Sequence, residues 1–437
     1  MIRPPDWLLA LVLIAGVFLW QRTAIPFWHV DLFHIQLASY AWQADHPDKM
    51  YTRLADYDQW LNDWYHPQAE RLGAWGSENA YYYPPFVAGL LSPVSNVPVS
   101  VWRNSLFAVN VLLLFVFAWQ IVRLCSDVFL WRGFLWALAV VLMCYPMARA
   151  AKLGQIVPLL AVLFWEGLLR LKSSRTIASA LLGSVIAIKI FPVGWMLAPL
   201  VRKQWRTLAQ IAIVGMAVYA LSIGAMGLDI HLRWWNAVQE FGSVVFTYFG
   251  NQSPAGWFTR AALGHSLQGP NFDPTPTIRF MRLLFSAVFL FGTAIVLWRA
   301  RKFELPIEIE HGLMISGLLL ALPVTWEHYY LFVLPALGAL LYKEWRRVTD
   351  PASPSGASPR RRNQEQSAGI RIEWQTVLLA AAAFFFLMKL TRFYADDPFG
   401  RFFSGSQCLG LILFWIYCLK RVLVFSPNVA AAPVAAE

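Results

Sequence analysis

Charged residues are scarce in this chain: Asp, Glu, Lys and Arg make up 14% of its 437 residues. A soluble globular protein is about a quarter charged and about half apolar, whereas 58% of these residues are hydrophobic and the mean hydropathy is +0.49. The alternating ten-residue segments of outer-membrane β-barrels are also absent. Repeated apolar runs of about 17 or more residues therefore predict an all-α polytopic membrane protein, because helices satisfy their own backbone hydrogen bonds in lipid.

Cysteine is rare, and familiar catalytic motifs are missing. The four cysteines have neither metal-ligand spacing nor the pattern of a disulfide framework; they are Cys125, Cys144, Cys408 and Cys418. No Walker loop, G-x-G-x-x-G, H-E-x-x-H or G-x-S-x-G stands in the required context. No carboxylate cluster is spaced to hold a metal. The sequence therefore predicts no metal site, no cofactor and no nucleotide-dependent cytoplasmic domain.

Positive charge is in excess, with a net charge of +11, but its placement argues against nucleic-acid binding. Basic clusters recur between apolar runs, as expected of short cytoplasmic loops. They are Arg170/Lys172/Arg175, Arg202/Lys203/Arg206, Arg299/Arg301/Lys302, Lys343/Arg346/Arg347, 360–362 and Lys420/Arg421. This pattern predicts a multi-pass membrane protein with both termini in the cytoplasm. We expect its location to be a bacterial inner membrane.

The apolar runs predict about twelve membrane spans in a single domain, 1–437. A first helix at 6–22 precedes a mixed segment, 26–82, that reads as a large extracytoplasmic loop with interfacial helices. Residues 84–97 predict a half-embedded helix entered at Pro84, because proline is tolerated in a first turn. A polar cytoplasmic linker is expected at 351–369, before two terminal helices within 373–423. The other predicted spans are 101–123, 131–148, 155–171, 177–189, 191–202, 207–226, 278–299, 312–325 and 329–342.

Lys189 lies inside an apolar run, 176–201, where an ammonium group is costly. As one helix this run would be about 39 Å long, more than the ~30 Å hydrocarbon core, and both of its flanks are basic. A hairpin that turns at Lys189 accounts for both facts, and each arm is then too short to span. The lysine would lie at the recessed extracytoplasmic tip, although a lysine near a helix end can also reach the headgroups unaided.

Several polar residues are predicted at the same face. Asp31 begins a short interfacial helix, where its carboxylate is either a helix cap or a general base. Tyr83, with its two tyrosine neighbours, is either part of an aromatic belt or a stacking surface for sugars and lipid chains. Gln155 and His328 each lie where a span meets that face. His328 could donate to a phosphate or shuttle a proton, or it could be an interfacial histidine without a chemical role.

An ordered set of stretches resembles glycosyltransferase family 87, whose members are integral-membrane enzymes of the GT-C class that include polyprenyl-phosphate-mannose-dependent mannosyltransferases. The set covers about 25–345. Its stretches are DLFHIQLASYAW, YYYPPFVAGLLSP, LGQIVPLLAVL, AIKIFPVGWMLAPLVRKQW, NQSPAGWFTR and WEHYYLFVLPAL.

The resemblance implies a GT-C-type helical bundle that transfers a hexose, such as mannose, from a polyprenyl phosphate to a lipid or glycan acceptor of the cell envelope, with inversion. Asp31 would deprotonate the acceptor. Lys189, His328 and Arg260 would neutralise the leaving phosphate. Sugar or phosphate would be bound by Gln155, Asn251 and Gln252. The alternative is a non-catalytic transporter or flippase that handles lipid phosphates through the same polar cavity.

Overall fold

The structure is a computed structural model, and it is almost entirely helical. It describes residues 6–24, 30–74, 79–125, 131–263, 270–271, 274–349, 374–388, 401 and 403–430. The predicted linker, 351–369, lies outside the described residues. Within the described residues, the only paired strands are β1 (Val245–Phe246) and β2 (Pro270–Asn271), which are antiparallel with Val245 opposite Asn271. The all-α prediction is confirmed.

Nineteen helices follow one another along the described chain. The first eight are α1 Asp6–Ala24, α2 Val30–Gln43, α3 Tyr57–Trp60, α4 His66–Leu72, α5 Pro85–Leu91, α6 Val99–Cys125, α7 Trp131–Met143 and α8 Tyr145–Leu153. The next six are α9 Val157–Arg170, α10 Arg175–Ile188, α11 Leu197–Val201, α12 Trp205–Met226, α13 Leu228–Ser243 and α14 Pro254–Leu263. The last five are α15 Pro276–Arg299, α16 Ile307–Ala321, α17 Leu334–Thr349, α18 Trp374–Leu387 and α19 Ser406–Ala430.

Short turns of tighter or wider helix connect some of these elements. A π-helical turn, Leu61–Tyr65, joins α3 to α4. The 3₁₀ turns are Pro47–Lys49, Leu54–Asp56, Ser92–Val94, Phe191–Met196 and Glu327–Phe332.

By length and composition, five of the described helices could cross a membrane: α1, α6, α12, α15 and α19. The number rises to six if α7 and α8 form one broken span. The prediction of about twelve spans is not confirmed. Several predicted spans are helices that are too short: α9 has 14 residues, or about 21 Å, against a hydrocarbon core of about 30 Å.

A proline explains why one predicted span is broken. The chain bends by 60° between α7 and α8, and Pro146 occupies the first turn of α8. Proline has no N–H to donate, and its ring clashes with the carbonyl four residues earlier, so α7 cannot continue through Pro146. The chain is extended at Cys144, and α8 begins anew at Tyr145. An apolar run is therefore longer than the straight helix that it forms.

The break predicted at Lys189 is confirmed. Helix α10 ends at Ile188, Lys189 has extended backbone angles, and a 3₁₀ turn begins at Phe191. Helices are also present at the positions predicted after Asp31 and Pro84, as α2 and α5, but their predicted placement at the membrane interface is not confirmed.

Helix α16 is the centre of the bundle. All of its residues from Glu308 to Ala321 are buried except Glu310, as expected of a helix that is apolar on every side. A second, aromatic cluster packs around α2 and the 57–72 segment; it includes Phe33, Trp64 and Tyr65. The side chain of Gln36 donates to the backbone carbonyls of Ser95 and Val97. These bonds hold α2 against the segment that leads into α6.

Candidate active site

The carboxylate of Asp31 is buried at the start of α2. Its residue is 8% exposed, and Oδ1 accepts a hydrogen bond of 2.7 Å from the side-chain amide of Asn79. Asp31 lies in the first turn of the helix, after Val30. Its recorded hydrogen-bond partner is thus a side chain from a distant loop, which suits a held carboxylate better than a helix cap.

Lys189, Tyr83 and Gln155 form a chain of polar contacts. The Nζ of Lys189 donates to the hydroxyl of Tyr83 at 3.2 Å, and that hydroxyl lies 3.4 Å from Oε1 of Gln155. The same Nζ is 4.8 Å from the centre of the Tyr83 ring and 4.5 Å from that of Tyr329. Two aromatic faces therefore stabilise the ammonium in place of water.

Asp31 and Lys189 are close enough to influence each other electrostatically. Burial lowers the pKa of Lys189 to about 7, while the negative charge of Asp31 opposes this change. The same carboxylate helps to raise the pKa of Tyr83, although burial is the larger cause. A potential base and a potential phosphate-binding cation thus occupy one site, and the cation is balanced between charged and neutral forms.

His328 is 4% exposed and stands in the turn Glu327–Phe332. Within the described part of the chain, neither ring nitrogen has a hydrogen-bond partner. Its ring packs edge-on against Tyr329, with 4.9 Å between the centres. Burial lowers the pKa of His328, and the positive charges of Lys189 and Arg149 act in the same direction. A neutral, buried imidazole with two unused nitrogens is equipped to bind a polar ligand.

Arg149 is a site residue that the sequence reasoning missed. Its Nε donates to Oε1 of Glu327 at 2.7 Å, which ties α8 to the turn that carries His328. Its charge also acts on His328. The available signal was an arginine in an apolar stretch, the same observation that drew attention to Lys189.

Gly154 permits the close approach of α2 to α8. It ends α8 in the left-handed conformation, with φ of +69°. A Cβ atom at this position would lie 2.7 Å from Cβ of Leu32. The tight turn therefore lets Leu32, the residue after Asp31, pack directly against Gly154, the residue before Gln155.

Asn251 and Gln252 are used to hold the His328 turn. The Asn251 amide donates to the carbonyl of Phe246 and its oxygen accepts from the backbone of Ser253 and Thr325. Gln252 donates to the carbonyls of Phe249 and Ser404. The backbone around them pairs with residues 325–327. That they also bind sugar or phosphate stays a prediction.

Arg260 stands apart from the Lys189 chain. Its guanidinium donates to the carbonyls of Tyr248, Asn251 and Ser404, at 3.0, 2.8 and 3.2 Å, and its residue is 1% exposed. These contacts brace the loop before α14. Binding of the leaving phosphate by Arg260 stays a prediction, whereas Lys189, Arg149 and His328 are already brought together.

The arrangement combines a carboxylate with cations and a neutral imidazole in a buried site. The carboxylate can accept a proton, and the ammonium, guanidinium and imidazole can stabilise a phosphate. Among the residues described, no group of three or more His, Cys, Asp or Glu is placed to hold a metal ion.

Comparison with protein-family models matches residues 81–323 to glycosyltransferase family 87. Searches of curated proteins and of solved structures gave no match. The matched region contains Tyr83, Arg149, Gln155 and Lys189, and it ends shortly before His328. Asp31 lies before it and is joined to the matched residues by geometry. Because the match covers more than half of the sequence, the chain belongs to glycosyltransferase family 87.

Proposed function

We propose that this membrane glycosyltransferase moves a hexose, with mannose as the first candidate, from a polyprenyl phosphate to a hydroxyl of a lipid or glycan acceptor. The observation that carries the proposal is the shared site of Asp31 and Lys189, in which the negative charge of Asp31 acts on the ammonium of Lys189. Family membership supports the transfer reaction itself. The transporter or flippase alternative is less favoured, because the matched family is one of glycosyltransferases.

In the proposed reaction, Asp31 takes the proton from the acceptor hydroxyl. The acceptor oxygen then attacks the anomeric carbon from the face opposite the phosphate, so that the configuration inverts. The glycosidic bond forms as the bond between that carbon and the phosphate oxygen breaks. The electron pair leaves with the polyprenyl phosphate, which gains one negative charge, and Asp31 holds the proton.

The groups that would stabilise this new charge are Lys189, Arg149 and His328. A developing phosphate charge is best stabilised by donors that are already oriented in a water-poor site. Lys189 is oriented by Tyr83 and Tyr329, and Arg149 by Glu327. Gln155 would bind a phosphate or sugar oxygen beside Tyr83. We assign this chemistry to the extracytoplasmic side of a bacterial inner membrane.

The test is transfer by the purified protein. Incubated with radiolabelled polyprenyl-phosphate-mannose and bacterial membrane lipid, the wild type is expected to yield one labelled product per polyprenyl phosphate released, with inverted configuration. Movement of labelled donor between leaflets without any product would contradict the proposal and favour the transporter. Labelled product with retained configuration would contradict the direct displacement.

A further inference from the structure

A cleft of about 230 Å³ opens far from the Asp31 site, among the apolar side chains of three helices. Helices α7 and α17 both pack along α6 but touch each other little, so that α6 forms the floor between them. The walls include Trp136 and Ala137 of α7 and Tyr342 and Trp345 of α17. An apolar cavity of roughly 150 Å³ accepts benzene, so this cleft has room for a segment of an acyl chain.

The cleft lies at the end of the bundle that carries Lys172, Arg202, Lys343 and Arg421, which we call the basic end. Helix α6 begins next to the backbone that binds Gln36 of α2, runs through 27 residues, or about 40 Å, and ends at Cys125 on the cleft. Helix α17 likewise leads away from the His328 turn, and its side of the cleft runs from Gly338 to Trp345. The cleft is therefore separate from the proposed active site.

Arg346 supplies a positive charge beside the cleft. Its charge acts on both Tyr342 and Cys125, which line the cleft. The neighbouring Lys343 is paired with Glu308, and Arg347 with Glu344. Across the described ranges, Arg346 has no such acidic partner. An apolar cleft with an unpaired cation beside it is complementary to a molecule with an apolar chain and an anionic head.

We infer that an anionic phospholipid binds here, with part of one acyl chain in the cleft and its phosphate on Arg346. Trp136 and Trp345 lie 6.0 Å apart, centre to centre, and tryptophans are enriched at the level of lipid headgroups. Basic residues beside a membrane attract anionic lipids. This site does not depend on the sugar-transfer reaction.

The test uses the full chain in nanodiscs of phosphatidylcholine. Brominated acyl chains quench nearby tryptophan fluorescence. The part of the quenching that is lost in Trp136→Phe/Trp345→Phe therefore measures lipid chains in the cleft. We compare the mole fraction of each brominated lipid that gives half of the maximal quenching in the cleft. This mole fraction should be about fivefold lower for phosphatidylglycerol than for phosphatidylcholine. Arg346→Gln should remove this preference. Arg299→Gln, which changes an exposed arginine at the same end, should retain it.

Equal mole fractions for the two lipids in the wild type would overturn the inference, as would a preference that survives in Arg346→Gln. Quenching that is unchanged in the double tryptophan variant would mean that no lipid chain enters the cleft, and would also overturn it. Native mass spectrometry gives a second measurement without the tryptophan variants. The wild type and Arg299→Gln should retain one more phosphatidylglycerol than Arg346→Gln, and equal retention would contradict the inference.

Discussion

The ammonium of Lys189 is held between two tyrosine rings and close to a carboxylate, so that its charge depends on the site around it. Burial favours the neutral amine, whereas Asp31 favours the charged form. A donor phosphate would add a second negative charge and shift the balance towards the ammonium. Binding of the donor is therefore linked to protonation of this lysine.

This linkage predicts a pH dependence of the KM for the donor. With a pKa of about 7 in the free site, Lys189 is charged below that pH and neutral above it. A phosphodiester keeps its charge throughout, so the KM should rise about tenfold between pH 6 and pH 8. In Lys189→Arg the guanidinium stays charged, and the KM should vary little over this range. A steep rise in both proteins would assign the titration to another group.

His328 offers ring nitrogens without partners in a buried place, which costs stability unless a ligand uses them. His328→Phe keeps the ring against Tyr329 but removes both nitrogens. We expect a kcat about 100-fold lower with little change in the donor KM, and a folded protein at least as stable as the wild type. His66→Phe, which changes an exposed histidine at the start of α4, is the control. A His328→Phe protein with wild-type kcat would remove this residue from the mechanism.

At the scale of helices, Gly154 and Gly73 form a matched pair. Both end a helix in the left-handed conformation, with φ of +69° and +74°. A Cβ would press on Leu32 at Gly154, but would meet nothing within 4 Å at Gly73. Gly73→Ala should lose about 1 kcal/mol of unfolding free energy, and Gly154→Ala should lose more, because its Cβ also meets Leu32. Only Gly154→Ala should also slow transfer, because it pushes α2 and Asp31 away from Gln155; equal rates would show that this contact does not position Asp31.

A buried ion pair holds α16 at the basic end. Arg202 donates to Glu310, and each side chain is 12% exposed. Removing one partner leaves a buried charge, so Arg202→Met should lower the free energy of unfolding by about 3 kcal/mol, and Arg202→Met/Glu310→Leu should recover much of the loss. Lys172→Gln, in the exposed pair with Glu304, should have no measurable effect. Additive losses in the double variant would contradict the coupling of Arg202 and Glu310.

The sequence was most informative about features that a single segment determines by itself. The apolar runs located most helices, and the lysine within an apolar run located the break after α10. The ends and the number of spans were less predictable, because a proline or a tight turn divides a run without changing its hydropathy. Helix α13 was missed since it is amphipathic, with Ile230, Trp234 and Ala237 buried on one side, and is not apolar throughout.

Contacts between distant segments could not be predicted from the sequence. Arg149 and Glu327 are 178 residues apart, and nothing in either segment specifies the other. Likewise, Asn251 and Gln252 carry amides that suit a sugar site, but their hydrogen bonds depend on residues 325–327 and 404, which only the fold brings near. The sequence singles out Asp31 and Lys189 separately, and their shared site depends on the packing of α2 against α5, because Lys189 contacts Tyr83 just before α5.

For the molecule as a whole, the two ends of the bundle are chemically different. One end joins Asp31, Lys189, Arg149 and His328 in a buried polar site. The other carries basic clusters, their acidic partners and the apolar cleft. We therefore propose that the transfer reaction and the lipid contact lie at opposite membrane faces.

The central claim is that Asp31 acts as the base while Lys189 binds the donor phosphate, and paired measurements of donor binding and transfer test it most directly. Asp31→Asn should bind polyprenyl-phosphate-mannose with nearly wild-type Kd but transfer mannose at least 100-fold more slowly. Lys189→Gln should bind the donor more weakly, and Asp58→Asn, a change at an exposed position of α3, should match the wild type in both. Transfer by Asp31→Asn at the wild-type rate would contradict the account.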